Sequence, residues 1–195
     1  MADKERISDL LNKLKDKDEE DYKHSLRVRD LVAKVLTQYK VSEKEKADIL
    51  TAAVLHDIGN LLIPDYIIKK PGRLTLEEYE EVQKHVTKGL ELIQDLKSFD
   101  QIKDVMKFHH ENYNGFGYPD GIEGPEIPLG ARIIHVLEAY DSMIVPRKSR
   151  KSVLKKEEAI KELKDYAGRM YDPEVVDNLE KVELNWEKRF LQVTG

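Results

Sequence analysis

The chain has 195 residues, 36% of them charged and 40% hydrophobic, with a formal net charge of −5. That apolar share fills one sizeable core and excludes wholesale disorder. The lack of cysteine excludes a disulfide framework and a thiolate zinc site, no apolar run approaches the roughly 20 residues that cross a bilayer, and an acidic balance disfavours a nucleic-acid polymer as partner, since phosphate binding needs a basic surface. The opening MADKERISDL is charged from its third residue and lacks the apolar core of a signal peptide. These features predict a cytoplasmic chain forming one domain over 1–195.

Ile7, Leu10, Leu11 and Leu14 recur at i, i+3, i+4 and i+7, the spacing of an amphipathic helix. A second helix is predicted from Asp18, where Glu19, Glu20 and Asp21 suit the positive end of the dipole. It turns Val28, Leu31, Val32, Val35 and Leu36 inward. Ser42 and Glu45 form a capping-box pattern that opens a run from Ala47 to Ile58, apolar nearly all round. That run predicts the buried central helix, stopped by Gly59. Residues 60–74 hold two prolines and a Pro-Gly pair and read as an ordered loop. Thr75 with Glu78 caps a helix carrying Val82, His85, Val86, Gly89, Leu90 and Ile93 on one face, and a shorter helix follows from about Ile102 to His110. Residues 112–130 contain five glycines and three prolines, which marks a long, specifically shaped loop of the kind that carries function. Pro128 suits the first turn of the next helix, which continues through Ile133, Ile134, Leu137 and Tyr140 until Pro146 breaks it before the basic stretch RKSRKSVLKK. Two more helices follow, one ending near Gly168, the other opening with Asp172 as cap and Pro173 in its first turn. With no convincing strand or repeat, the pattern predicts an all-α domain of about eight helices.

Five of the six histidines lie at or near apolar helix faces. His24 precedes Val28 by one turn, His56-Asp57 ends the most buried helix, His85 sits between Val82 and Val86, and His109-His110 stands just before the glycine-rich loop. Burying five imidazoles beside carboxylates is costly without a cation to satisfy them. Neighbouring helical residues point about 100° apart, so a tandem pair serves a metal only at a helix end or by flanking two metals. Imidazole and carboxylate without thiolate suit Mn²⁺ or Fe as well as Zn²⁺. Two such ions roughly 3.5–4 Å apart can share a hydroxide and clamp both oxygens of an in-line phosphoryl displacement. His135 has no such company and reads as structural.

The string HDIGN at 56–60, followed by LLIPDYIIKKPGRLTLEEYEEVQKH, HHENYNGFGYPDGIEGPEIPLGARI and YDPEVV, resembles the HD-GYP family, a subgroup of the HD-domain metal-dependent phosphohydrolases. The resemblance runs from about residue 18 to 182. It implies an all-α HD-domain helical bundle with a C-terminal GYP-type helical extension. The implied activity is hydrolysis of cyclic di-GMP at two or three divalent metal ions, iron or manganese first, with zinc, nickel or magnesium as alternatives.

Carried over by position, His24 matches the first metal ligand and His56-Asp57 the dyad naming the family, with Asp57 as the bridging, catalytic carboxylate. His85, His109 and His110 match the remaining histidine ligands. Glu20 matches the glutamate with which some members hold a third metal; its other reading is a residue answering the helix dipole. Tyr118, with Gly117 and Pro119, matches the GYP loop, where it either packs the turn or shapes the pocket and docks a protein partner. Arg147 falls at a position for ligand phosphates, Arg150 or Lys151 supplies a second contact, and Asp141 occupies the second aspartate of the motif, also read as substrate-binding. The alternative for the basic stretch is a solvated charged loop.

Two positions depart from the pattern. Asn60 replaces a lysine thought to touch the substrate phosphate, which removes stabilisation of developing charge. Glu138 replaces the last aspartate ligand and adds a methylene. These departures keep open a catalytically weak or inactive module that binds a cyclic dinucleotide or a protein partner, and a phosphohydrolase acting on another nucleotide.

Overall fold

The structure, a computed structural model, describes residues 2–146 and 152–193, with side chains to residue 184. Arg147 and Arg150, expected to contact substrate, lie outside the described residues. Ten α-helices occur among the described residues, and no strand: α1 (Ala2–Lys17), α2 (Glu19–Val35), α3 (Glu43–Leu55), α4 (Asp65–Ile68), α5 (Leu76–Gln83), α6 (His85–Ile93), α7 (Phe99–Lys107), α8 (Leu129–Ile144), α9 (Lys156–Asp165) and α10 (Pro173–Val193).

Asp18 caps α2 by accepting the backbone N–H groups of Glu20 and Asp21, which satisfies two donors that the first turn otherwise leaves free. Helices α2, α3 and α8 pack against one another. Their inward stripes supply the core: Val28, Val32 and Val35, then Ala52, Ala53 and Leu55, then Ile133, Ile134 and Leu137, all essentially without solvent exposure. Each fully buried aliphatic side chain contributes about 1.5–3 kcal/mol. Helix α1 packs on α2, α7 on α3, and α9 and α10 on α8. Asp172 accepts the N–H of Glu174 at the start of α10, as its position before Pro173 predicts.

The elements differ from the sequence expectation at their ends, and those ends carry the site. The central helix stops at Leu55, with His56 as its cap, and a 3-10 turn covers Ile58–Leu62. The expected loop over 60–74 also contains the single turn of α4. The helix opened by Thr75 breaks at Lys84 into α5 and α6; the Val82 carbonyl accepts from the His85 ring at 2.7 Å, a side-chain bond that helical periodicity does not register. Helix α7 ends at Lys107, so His109 and His110 lie beyond it. Pro128 stands just before α8, with ψ 139°, and not in its first turn.

Gly59 shows why the 3-10 turn follows His56-Asp57. A Cβ there would sit 1.8 Å from the His85 carbonyl oxygen and 2.7 Å from the Gly89 nitrogen, so only glycine lets the turn lie on α6. Gly59→Ala is expected to push α6 away, costing about 1–3 kcal/mol and lowering Tm by roughly 2–12 °C. Calorimetry together with metal loading checks this, because the same displacement carries His85 out of place. An unchanged Tm would contradict the close packing.

Candidate metal centre

Four structural accidents of the fold bring distant histidines together. His24 projects from α2, His56 and Asp57 sit where α3 gives way to the 3-10 turn, His85 opens α6, and His109 and His110 follow α7. Glu138 reaches in from α8. Ring centroids of His24 and His56 are 5.5 Å apart, His56 and His109 5.3 Å, and His85 and His109 5.4 Å.

Several of these rings are anchored in the same way. Nδ1 lies 2.8 Å from the Ala53 carbonyl in His56, 2.7 Å from Val82 in His85 and 2.5 Å from Met106 in His109. A carbonyl only accepts, so each Nδ1 carries its proton and donates, leaving Nε2 of a neutral ring with a bare lone pair. Burial pushes the His85 imidazole below its usual range and His109 well below it, so both are neutral. Yet their Nε2 atoms stand only 3.4 Å apart. Two lone pairs at that distance repel unless a cation lies between them. Bonds of about 2.1 Å at a tetrahedral angle place two nitrogen ligands about 3.4 Å apart. The Nε2 of His56 is also buried, 3.3 Å from Asp57 Oδ2.

Two donor groups share one carboxylate. Atoms of Asp57, His85, His109 and His110 lie within 4.8 Å of one another, as do atoms of His24, His56 and Asp57. Asp57 Oδ2 is 3.3 Å from His56 Nε2, and Oδ1 is 3.5 Å from His85 Nε2. Glu138 stands beside both groups, with Oε1 3.1 Å from His110 Nδ1 and Oε2 3.7 Å from His56 Nε2. The residues fit a divalent cation: nitrogen and oxygen donors, converging lone pairs, and anions able to balance the charge.

The charges answer one another. Burial alone would raise the Asp57 carboxyl, but the charge of His56, whose Nε2 lies 3.3 Å from Oδ2, outweighs it and holds the carboxyl well below the usual carboxylate range. Burial also opposes ionisation of Glu138, and the neighbouring His110 and His56 outweigh it, so Glu138 is held low. For His56 burial works downward, and the neighbouring Asp57 and Glu138 charges win, pushing the imidazole up to about 9. In the metal-free protein this pair therefore stabilises the fold below about pH 6.5 and loses that contribution as the pH rises through about 9. A cation must displace the His56 proton. Metal affinity is accordingly expected to rise with pH, by about tenfold per unit between neutrality and about 9. Mn²⁺ titrations at pH 7.5 in buffers of unequal ionisation enthalpy should register about one proton released; an affinity independent of pH would contradict this arrangement.

The remaining expected site residues fall in different places. Glu20 belongs to none of the donor groups found among the described residues; it lines a cavity of about 630 Å³ with Lys17, Asp21, Lys69, Lys70 and Gly72. Asn60 donates its amide N–H to Asp21 Oδ2 at 3.3 Å, on the edge of that cavity. Tyr118 stacks on His110 with centroids 4.9 Å apart, and burial raises its hydroxyl far above the usual phenol range. Asp141 departs from the expected substrate contact. It is buried, His24 Nδ1 lies 2.6 Å from Oδ2, and the Arg27 guanidinium donates to both oxygens at 2.7 and 2.8 Å. Oδ2 thus meets both His24 and Arg27, and Oδ1 is taken by Arg27.

Three residues were not read from the sequence as parts of the site. Arg27 lies one turn after His24, and that i, i+3 spacing on α2 is its signal. Glu111 follows His109-His110 directly, and its Oε1 accepts the N–H groups of Asp120 and Gly121 at 2.8 and 2.9 Å, pinning the glycine-rich loop. His135, read as structural, has one ring nitrogen grouped with His110 and Glu138. Gly117 lets the loop return: a Cβ there would lie 2.2 Å from the Asn112 nitrogen.

Residues 9–175 match the HD domain family. The chain belongs to the HD-domain family. It is 36% identical over 180 residues to a cyclic di-GMP phosphodiesterase of Thermotoga maritima, covering 91% of this chain and 49% of that protein. It is 33% identical over 178 residues to 3'3'-cGAMP-specific phosphodiesterase 2 of Vibrio cholerae, covering 90% of this chain and 34% of that protein. The chain thus spans between about a third and a half of these curated relatives. Its fold is similar to that of Bd1817, an HD-GYP protein from Bdellovibrio bacteriovorus, with TM-score 0.63 and 22% identity over 82% of this chain and 51% of that one. No described helix is long and apolar enough to cross a membrane.

Proposed function

We propose that the chain is a metal-dependent phosphodiesterase that opens a cyclic dinucleotide, cyclic di-GMP in the first instance. In this reading His24, His56 and Asp57 hold one divalent cation and Asp57, His85, His109 and His110 a second, with Glu138 completing the set. Iron, manganese and zinc all suit these donors. The single observation that carries the reading is the pair of Nε2 lone pairs of His85 and His109, 3.4 Å apart beside a carboxylate common to both donor groups.

Bound cations supply Lewis-acid polarisation of the phosphoryl oxygens and lower the pKa of water. The residues of the chain do the rest. Asp57, kept ionised by its histidine neighbours, orients the attacking water between the two donor groups. Asp141 and Arg27 fix the tautomer and direction of His24. The cavity of about 630 Å³ lies beside Asp21, which accepts from the Asn60 amide, and its wall carries Asp18, Glu19, Glu20 and Asp21 together with Lys17, Lys69 and Lys70. Tyr118, stacked on His110, shapes the pocket from the loop side. Phe116, 85% exposed on the same loop, supports a protein contact there. A cytoplasmic location accords with such a substrate.

The purified chain, loaded anaerobically with Fe²⁺ or Mn²⁺ and given cyclic di-GMP, is expected to form the linear dinucleotide or GMP, resolved by chromatography. Uncleaved cyclic di-GMP with metal bound would overturn the substrate assignment. Parallel assays with 3'3'-cGAMP separate a change of substrate from a loss of chemistry.

A further inference from the structure

We infer that His135 is a positioning residue for the metal centre. Its Nδ1–H holds the His109 carbonyl, and with it the backbone that carries His109 and His110 to the second cation, while the His135 ring is not itself a ligand. This inference rests on the metal reading of the centre. Helix α7 ends at Lys107, so both ligands stand on irregular backbone whose buried carbonyls need partners. The Phe108 carbonyl accepts the Glu111 N–H at 3.0 Å, and the His110 carbonyl accepts the Tyr118 N–H at 3.3 Å. The His109 carbonyl accepts from His135 Nδ1 at 2.9 Å, across 26 residues of sequence. Nearby chain therefore closes the two flanking bonds, and α8 supplies the one between them.

The surroundings of His135 commit its ring to this bond. The residue is 8% exposed. Its Nδ1 lies 3.9 Å from Glu138 Oε1, too far for a hydrogen bond, so the proton goes to the carbonyl. Tyr171 packs against the ring with centroids 5.2 Å apart, and the Tyr171 carbonyl is itself held by the Gly168 N–H at 2.9 Å. The same connector between α9 and α10 offers the Met170 and Arg169 carbonyls to the N–H groups of Tyr113 and Asn114, at 3.0 and 2.9 Å. It thus braces the segment after α7 from two sides, through His135 and through the start of the glycine-rich loop. His135 and Glu138 stand three residues apart on α8 and share a face, so the helix that brings Glu138 to the centre also aligns the His109 backbone. Turning that backbone would carry the His109 Nε2 away from the His85 Nε2, now 3.4 Å distant.

Two substitutions separate the bond from packing. His135→Asn puts a side-chain N–H close to where Nδ1 stands, whereas His135→Leu fills the core without a donor and leaves the buried carbonyl unpaired. Mn²⁺ titration of the full chain, followed by calorimetry, is expected to show the Leu variant weakened by about tenfold or more in one binding step. The other step should be kept, and the Asn variant should bind close to the wild type in both. A Leu variant that binds as tightly as the wild type, or an Asn variant as weak as Leu, would overturn the proposal. A wild type that takes up no Mn²⁺ would instead count against the two donor groups that share Asp57. Histidine-ring ¹⁵N NMR of the metal-free wild type then decides the bond by itself, and does so equally should a variant fail to fold. A His135 ring protonated at Nδ1 is expected, and one protonated at Nε2 would overturn the inference.

Discussion

Asp57→Asn is expected to lower turnover of cyclic di-GMP by about a thousandfold or more, because one substitution removes the anion common to both donor groups. A thousandfold corresponds to about 4 kcal/mol of barrier. The amide keeps the shape of the side chain but offers one neutral oxygen, so two cations lose the negative charge that lets them approach each other. Metal analysis should show reduced loading alongside the lost rate. Full loading with unchanged turnover would remove Asp57 from the chemistry.

Arg27→Met should act on the fold and on the metal together. Asp141 is 1% exposed, and the substitution leaves it with His24 alone. Removing one partner of a buried pair costs about 3–5 kcal/mol; Arg27 is itself about a third exposed, so a loss of about 2–3 kcal/mol is expected, or roughly 4–12 °C in Tm. The carboxylate also loses the grip that aims it at His24 Nδ1, and weakening such an outer partner of a ligand lowers metal affinity about 10–100-fold. Thermal unfolding and Mn²⁺ titration check the two parts separately. Arg27→Lys tests geometry against charge, since an ammonium cannot reproduce the paired donation of the guanidinium. A variant matching the wild type in both measurements would mean that Asp141 holds His24 unaided.

The helical class and the histidines of the centre were readable from residue spacing because both follow from local pattern: apolar stripes at helical period, and tandem dyads set at the edges of apolar runs. What spacing could not supply was where each helix stops. His85 looked like one position on a continuous helix face, whereas its own ring bond to the Val82 carbonyl coincides with the break that opens α6. Asp141 and Arg27 are separated by more than a hundred residues, so their pairing is a property of how α2 meets α8. His135 shows the reverse difficulty. Without an adjacent dyad it resembled a packed core histidine, and only the fold reveals that its Nε2 is buried without a partner. Asn60 remained open in sequence for a related reason: its amide turns to Asp21, a residue on another element that no spacing rule connects to it.

The decisive measurement is anomalous diffraction at the manganese edge from crystals of the full chain grown with Mn²⁺. Two adjacent peaks are expected, one among His24, His56 and Asp57, the other among Asp57, His85, His109 and His110, with the Asp57 carboxylate touching both. Crystals saturated with manganese that show no peak among these rings, or a single ion leaving Asp57 unbound, would contradict the centre on which the proposed chemistry depends.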